Sequence, residues 1–339
     1  MIDQLTIRAH LDALAKPRGS LGRLEDIAVR LAQTQDRIDP RTTPRQIVLF
    51  AGDHGCVADG VSAWPAAVTG MMIGTILAGR ATSNALAAAN DCPLRLVDVG
   101  VAGARLSDAP AFFRDARVGD GTASLAEGAA MRVAQFDAAW KVGASEADRA
   151  IDAGAALLIA GEMGIGNTTP AACLTALLTG LDPAAAVGRG AGADDDVVAL
   201  KTRIVRAAVA RAMPQLEPDA RGAIAAVCGY EIAAMAGFFA QGAARGATLL
   251  LDGYVATAAA LIAERLAPGS ARGMIAGHRS AEPGHAAALA ALGLEPLLDW
   301  GMRLGEGSGA LVALPLLDAA AALLNDVARL DAIGATRPD

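Results

Sequence analysis

Five short apolar runs, each closed by a polar residue or a glycine, constrain this chain more than any other feature. They are QIVLF at 46–50, LRLVDV at 94–99, ALLIA at 156–160, ATLLL at 247–251 and ARGMIA at 271–276. Their nearly continuous apolar character is that of strands buried on both faces of a parallel sheet. Alanine-rich helical stretches separate them, so the rhythm is β-α-β and an α/β fold is expected. What closes each run matters as much. Gly52, Asp53 and His54 follow the first, and the second ends at Asp98, Val99 and Gly100. Gly161 and Glu162 follow the third, Asp252 and Gly253 the fourth, Gly277 and His278 the fifth. Open α/β sheets bind ligands outside the carboxyl ends of their strands. These residues therefore predict one shared site.

The chain has 339 residues, enough for a large domain with an appendage or for two domains. Hydrophobic residues make up 53% and aromatics only 3%, which points to a core of small side chains and closely packed helices. A net charge of -7 with scattered basic residues argues against a nucleic-acid partner, which would need a clustered basic face. No uninterrupted apolar run approaches the roughly 20 residues of a membrane span, and no signal peptide is visible. Cys56, Cys92, Cys173 and Cys228 are widely spaced with no CxxC pair, as expected of reduced, buried thiols in a cytoplasmic protein.

Residues 1–37 read as helical, with Leu11, Leu14, Leu21, Leu24, Ile27 and Leu31 as apolar positions and a break at 16–20. Ser20 is the expected cap of a second helix. An apolar helix is expected from Pro315 to about Ile333. With no strand partners of their own, the two termini (1–37 and 312–339) are expected to pack together as a small helical domain on an α/β domain at 38–311. Thr336 to Asp339 read as a frayed tail.

The loop at 161–169, GEMGIGNTT, is the strongest local feature. Three glycines and two threonines before a helix can aim several N–H groups, and a helix N-terminus, at one anion. The competing reading is a structural turn with Thr169 as N-cap and Pro170 at the first helical position. The segment is neither a Walker A loop nor a GxGxxG fingerprint. A second glycine-rich loop, GRGAG at 188–192, precedes Asp194, Asp195 and Asp196, which read as a helix start rather than a metal site. Lys201 on that helix can meet a phosphate as a point charge. Asp53 and His54 read as loop-holding hydrogen-bond partners, with acid–base and metal-ligand roles as alternatives. Trp64, Met71 and Met72 would line an apolar pocket if their loop folds over the site, although core packing suits the methionines better. His278, Glu282 and His285 have helical spacing, but Pro283 and Gly284 interrupt it, so a structured loop offering Ser280 and Glu282 to a ligand is expected instead of a zinc site. Finally, Arg303-Leu304-Gly305-Glu306-Gly307-Ser308-Gly309 sets one carboxylate on a spine of glycines. Its place before an apolar run predicts that Glu306 faces inward, where burial would raise its pKa toward that of a general base.

Taken together, seven segments resemble the nicotinate-nucleotide–dimethylbenzimidazole phosphoribosyltransferase family. They are KPRGSLGRLE (16–25), AGDHGCVADGVSAWP (51–65), GEMGIGNTTPAA (161–172), GRGAGADDD (188–196), LLDGYVATAAAL (250–261), GHRSAEPGH (277–285) and MRLGEGSGALVALPLL (302–317), in order over nearly the whole chain. The resemblance implies transfer of 5-phosphoribosyl from nicotinate mononucleotide to a benzimidazole-type base such as 5,6-dimethylbenzimidazole, releasing nicotinate. It implies Glu306 as general base, and Glu162, Gly164, Gly190 and Lys201 in the phosphate loops, with Gly166, Asn167 and Thr168 in the same cradle. Asp252 and Ser280 match positions facing ribose and nicotinate, and Leu304 is a further expected substrate contact. It also implies a Rossmann-like large domain, a small helical domain from both termini, a homodimer, and neither metal nor cofactor. Trp64 stands where the family often has Tyr or Phe, and Met71 or Met72 where a Gln is sometimes found, both in the expected base pocket.

The residues suit this chemistry. Nicotinate leaves from a pyridinium as a neutral ring nitrogen, and the attacking base must shed one proton, which a single carboxylate can accept for a gain of about 10²–10⁴-fold. In-line attack gives inversion at the anomeric carbon. Two rival readings stand beside it. A nucleotide hydrolase would use Glu306 to activate water, and a non-enzymatic nucleotide sensor would use only the 161–169 cradle.

Overall fold

The computed structural model describes residues 2–106 and 108–335. Six parallel strands form one sheet: β1 (Arg45–Gly52), β2 (Leu94–Gly100), β3 (Phe113–Asp115), β4 (Leu157–Met163), β5 (Thr248–Leu251) and β6 (Met274–Ala276). Their order is β3-β2-β1-β4-β5-β6, the Rossmann arrangement, with the change of direction between β1 and β4. All five expected strands are present. The sixth, β3, escaped the sequence reading because it is a three-residue edge strand of mixed character, FRD.

The strand sequences are continuously apolar because each face of the sheet has its own core. Val48, Phe50, Val97, Leu158, Ala160 and Leu249 face the helices Val133–Asp152, Thr168–Thr179, Tyr230–Ala244 and Tyr254–Leu266. Ile47, Leu49, Leu96, Ile159 and Leu250 face Gln4–Ala13, Arg23–Thr34, Thr82–Ala89 and Ser308–Asp326. Small residues set the helix spacing. A Cβ at Gly143 would stand 1.7 Å from the Ala234 carbonyl oxygen, and one at Gly237 would stand 2.1 Å from that of Trp140. Those two glycines let neighbouring helices touch backbone to backbone.

Both termini lie in the second layer. Leu14 pairs with Arg329, and the Ala15 N–H donates to Ala328 at 2.8 Å, so the first helix and the last segment are tied directly. The same apolar core runs on into the sheet. Two local expectations are corrected. Ser20 does not cap the second helix, which starts at Arg23 after Gly22 in a left-handed turn (φ 51°). Glu25 instead turns inward, accepting from Leu21 N–H and Lys16 Nζ. The C-terminal helix begins at Ser308, seven residues before Pro315, and ends at Asp326, because a cap from another element starts it early. That helix is long and apolar enough to cross a membrane, but 61% of its apolar window is buried against the rest of the protein. The expected frayed tail at 336–339 lies outside the described residues. All four cysteines are buried and unpaired, and burial pushes Cys56 and Cys92 up to about 12.

Candidate active site

At the carboxyl ends of β4, β5 and β6 the sheet opens into a cleft, with the loop after β1 on its other side. It lies at the direction change of the sheet, where the fold class binds ligands. Glu162, Gly164, Gly166, Asn167, Thr168, Gly190, Lys201, Asp252, Ser280, Leu304 and Glu306 all line it. Residues up to 144 positions apart in sequence are thus brought together (306 − 162).

β4 runs three residues further than the sequence suggested, to Met163, so Glu162 lies inside the strand and the turn proper is Gly164 to Asn167. The helix after it begins at Thr168 with Asn167 as N-cap, so Thr169 is not the cap but a buried first-turn residue. Thr69, from the Ala67–Leu77 helix, pins the turn by accepting Ile165 N–H at 3.1 Å. Behind it, a Cβ on Gly164 would come within 2.4 Å of Gly52 O and 3.0 Å of His54 Nε2. His54 is buried, with Nε2 2.9 Å from Glu231 Oε1. Burial alone would lower its pKa, but Glu231 and Asp53 together hold it above the usual value. Asp53 ties the β1 loop to the end of β2 by accepting Ala102 N–H at 2.9 Å.

Lys201 is fully buried on the Asp195–Ala212 helix, whose start Asp194 caps by accepting Val197 N–H. Its Nζ donates to Thr168 Oγ1 at 2.6 Å and to Gly188 O at 3.3 Å. Burial lowers its pKa, partly offset by Glu282. One ammonium therefore joins the two glycine-rich loops.

Glu306 is 4% exposed, facing inward as expected. Its φ of 57° is left-handed, between Gly305 at 86° and Gly307 at 74°. A non-glycine residue held there is unusual and marks a locally enforced geometry. The enforcing contacts are visible. Asp252, at the end of β5, accepts Gly307 N–H at 3.1 Å and Gly309 N–H at 2.7 Å. Gly161 lets β4 lie against the turn, since a Cβ there would stand 2.5 Å from Gly307 N. Ser83, at the start of Thr82–Ala89, points its N–H at Glu306 Oε2 from 3.4 Å. Beside Glu306, the carboxyl group of Glu162 is bonded by Asn167 Nδ2. Burial, then the charges of Asp252, Glu231 and Glu306, push its pKa well above the ordinary value. Two adjacent carboxyl groups thus sit in different surroundings.

The family model for DBI_PRT phosphoribosyltransferases matches residues 4–334. The chain belongs to this phosphoribosyltransferase family. A nicotinate-nucleotide–dimethylbenzimidazole phosphoribosyltransferase of Mycobacterium tuberculosis (strain ATCC 25618 / H37Rv) is 50% identical over 328 residues, spanning 96% of this chain and 90% of its own. One from Mycobacterium marinum (strain ATCC BAA-535 / M) is 48% identical over 341 residues, spanning 98% and 94%. The crystal structure of CobT from Thermus thermophilus matches with a TM-score of 0.92 at 46% identity over 99% of both chains.

Two expected contacts of the phosphoribosyltransferase cleft do not line it. Trp64 stands at the rim, 52% exposed, its indole N–H donating to Ala191 O at 3.2 Å. Met72 packs on the second core instead, and Met71 is exposed. His278, Glu282 and His285 serve the loop structure. His278 Nε2 lies 3.7 Å from Asp252 Oδ1, His285 accepts Ser280 N–H at 2.7 Å, and Glu282 accepts Gly190 N–H at 2.9 Å. Arg303 was not given a role by sequence, yet it lines the cleft and donates to Gly190 O at 2.7 Å. Its neighbour Leu304 was a signal that the side chain before the glycines also reaches the site. Thr69 and Ser83 had no local signal at all, because only tertiary packing brings them to their partners.

Proposed function

We propose that this protein transfers 5-phosphoribosyl from nicotinate mononucleotide to 5,6-dimethylbenzimidazole or a related base, releasing nicotinate with inversion at the anomeric carbon. The observation that carries the reading is the placement of Glu306 across one cleft from the Gly164–Asn167 turn and Lys201. In this mechanism the phosphate lies on the turn and the Lys201 ammonium. A lone pair of the base attacks the anomeric carbon, and the C–N bond to the pyridinium breaks with its electrons going to the ring nitrogen. The proton on the other nitrogen of the base passes to Glu306. Glu162, whose pKa is pushed up by burial and by neighbouring carboxylates, stands beside Glu306 and is bonded by Asn167. Asp252 holds the turn that carries the base, and Ser280 and Leu304 line the remaining wall. Trp64 and Met72 reach the acceptor only if the rim closes over bound substrate.

The decisive experiment offers nicotinate mononucleotide with and without 5,6-dimethylbenzimidazole and identifies products by mass. An α-linked ribazole phosphate formed only with the base is the expected result. Ribose phosphate and nicotinate without the base would establish the hydrolase instead. A Glu306→Gln variant should bind nicotinate mononucleotide and lose about 10²–10⁴-fold in kcat.

The same reading places the protein in the cytoplasm as a homodimer. The Ala67–Leu77 helix carries no charged residue, and Ala67, Gly70, Met71 and Gly74 on it are exposed, a face suited to a second copy. Light scattering should return twice the chain mass. Residues 1–37 with 312–339 act in this view as one helical unit braced on 38–311, and their described helices, Gln4–Ala13, Arg23–Thr34 and Ser308–Asp326, should be protected together in hydrogen exchange.

A further inference from the structure

The Gly190 N–H, one of the donors the phosphate reading relies on, is already bonded. Its partner is Glu282, whose Oε1 accepts it at 2.9 Å. Glu282 is only 7% exposed and lines the cleft. Its other oxygen, Oε2, is buried with no hydrogen-bond partner. The loop is wrapped tightly around this carboxylate, since a Cβ on Gly188 would come within 2.2 Å of Oε2. Glu282 is also the charged group that most supports the proton on Lys201. An anion therefore sits between the backbone of the second glycine-rich loop and the field of the buried ammonium, the surroundings a phosphate would require.

We propose that Glu282 is an internal stand-in for the substrate phosphate, occupying the Gly190 N–H in the free enzyme and leaving it when a phosphate monoester enters. The inference rests on the phosphate reading given above and extends it. Three features favour exchange over permanent capping. A buried carboxylate oxygen without a partner is poorly satisfied, so the side chain is weakly held on that side. A phosphate carries more charge and more acceptor oxygens than a carboxylate, so it competes well for the same N–H and ammonium. The loop can move without strain, because Gly190 and Gly192 have φ of 51° and 105°, values open to glycine. Arg303, bonded to Gly190 O, follows the same loop and couples its position to the turn that carries Glu306. The stand-in keeps Lys201 compensated when the cleft is empty. It also sets the phosphate affinity below what the bare site would give.

The test uses inorganic phosphate as the probe on the full chain, with affinity by calorimetry and the phosphate-induced rise in Tm as a second readout. Glu282→Gln removes the competing charge and should bind phosphate about tenfold more tightly, with a lower Tm in its absence and a larger rise on adding it. Glu282→Asp keeps a counter-charge for Lys201 but withdraws it from Gly190, and should also tighten phosphate. Unchanged or weaker phosphate binding in both variants overturns the proposal and leaves Glu282 as a fixed support of the loop. Lys201→Met separates the two readings. Loss of phosphate binding in Lys201→Met without tightening in the Glu282 variants refutes the stand-in alone. Phosphate binding that survives Lys201→Met refutes the phosphate site, and the stand-in with it.

Discussion

Asp252 accepts the backbone N–H of Gly307 at 3.1 Å with one carboxylate oxygen and, with the other, that of Gly309 at 2.7 Å. A side chain at the end of one strand thereby caps a helix more than fifty residues later and fixes the turn on which Glu306 stands. Asp252→Asn keeps one acceptor and loses the other, leaving one buried N–H without a partner. Stability should fall by about 1–3 kcal/mol. The kcat should fall by more than the KM for nicotinate mononucleotide changes, since the displaced group is the proposed proton acceptor. Steady-state kinetics and urea unfolding of the variant check both.

Gly161→Ala tests the close approach from the other side. The new methyl group would meet Gly307 N and Leu49 Cδ2 at 2.5 Å and the Glu306 carbonyl carbon at 2.7 Å. Two of the three are backbone, so the turn must move. Overpacking of this kind costs about 1–3 kcal/mol. Thermal unfolding should show that loss, and turnover should fall even where the protein remains folded.

Glu162 offers a test of protonation. Burial and neighbouring carboxylates hold its pKa well above the usual range. If the rise holds the proton at neutral pH, an amide mimics the group. Glu162→Gln should therefore retain activity within about tenfold, a loss of no more than about 1.4 kcal/mol in transition-state binding. A much larger loss at neutral pH would show that the ionised form is needed.

His285 gives a stability prediction with a definite sign. Burial, then the nearby His278 and Arg279, lower its pKa to about 3. The unfolded chain takes up this proton near pH 6.5 and the folded protein does not, so the contribution is fully present above that pH and is lost as pH falls. Between about pH 7.5 and 5.5 the loss from this residue is about 1.4 kcal/mol. His285→Gln should remove that share of the pH dependence, measured as the difference in urea midpoints between the two proteins. An unchanged slope would refute it.

Much of the cleft was legible because its parts are written locally. Glycines cluster where a backbone must turn or approach a ligand, and GEMGIGNTT and LGEGSG needed no neighbour to be recognised. The acidic start of the Asp195–Ala212 helix likewise follows from its own sequence. Where the reading failed, a distant partner had intervened. The Ser308–Asp326 helix starts early because Asp252 caps it. Thr169 loses the cap position to Asn167, and Met72 turns to the core and away from the cleft.

The sequence by itself determined the α/β class, since continuous apolar runs have one economical solution in a sheet covered on both faces. It also pointed to the strand ends as the place of the cleft, and the ends of β4, β5 and β6 do line it, whereas Asp53 and Asp98 after β1 and in β2 are buried in hydrogen bonds outside it. Tertiary structure alone decided which of those polar groups meet in the cleft and which bond one another. Asp252 and Glu282 line the cleft beside Glu306, and each is held there by a backbone N–H far along the chain. That assignment depends on hydrogen-bond partners 55 and 92 residues away, separations that no local pattern encodes.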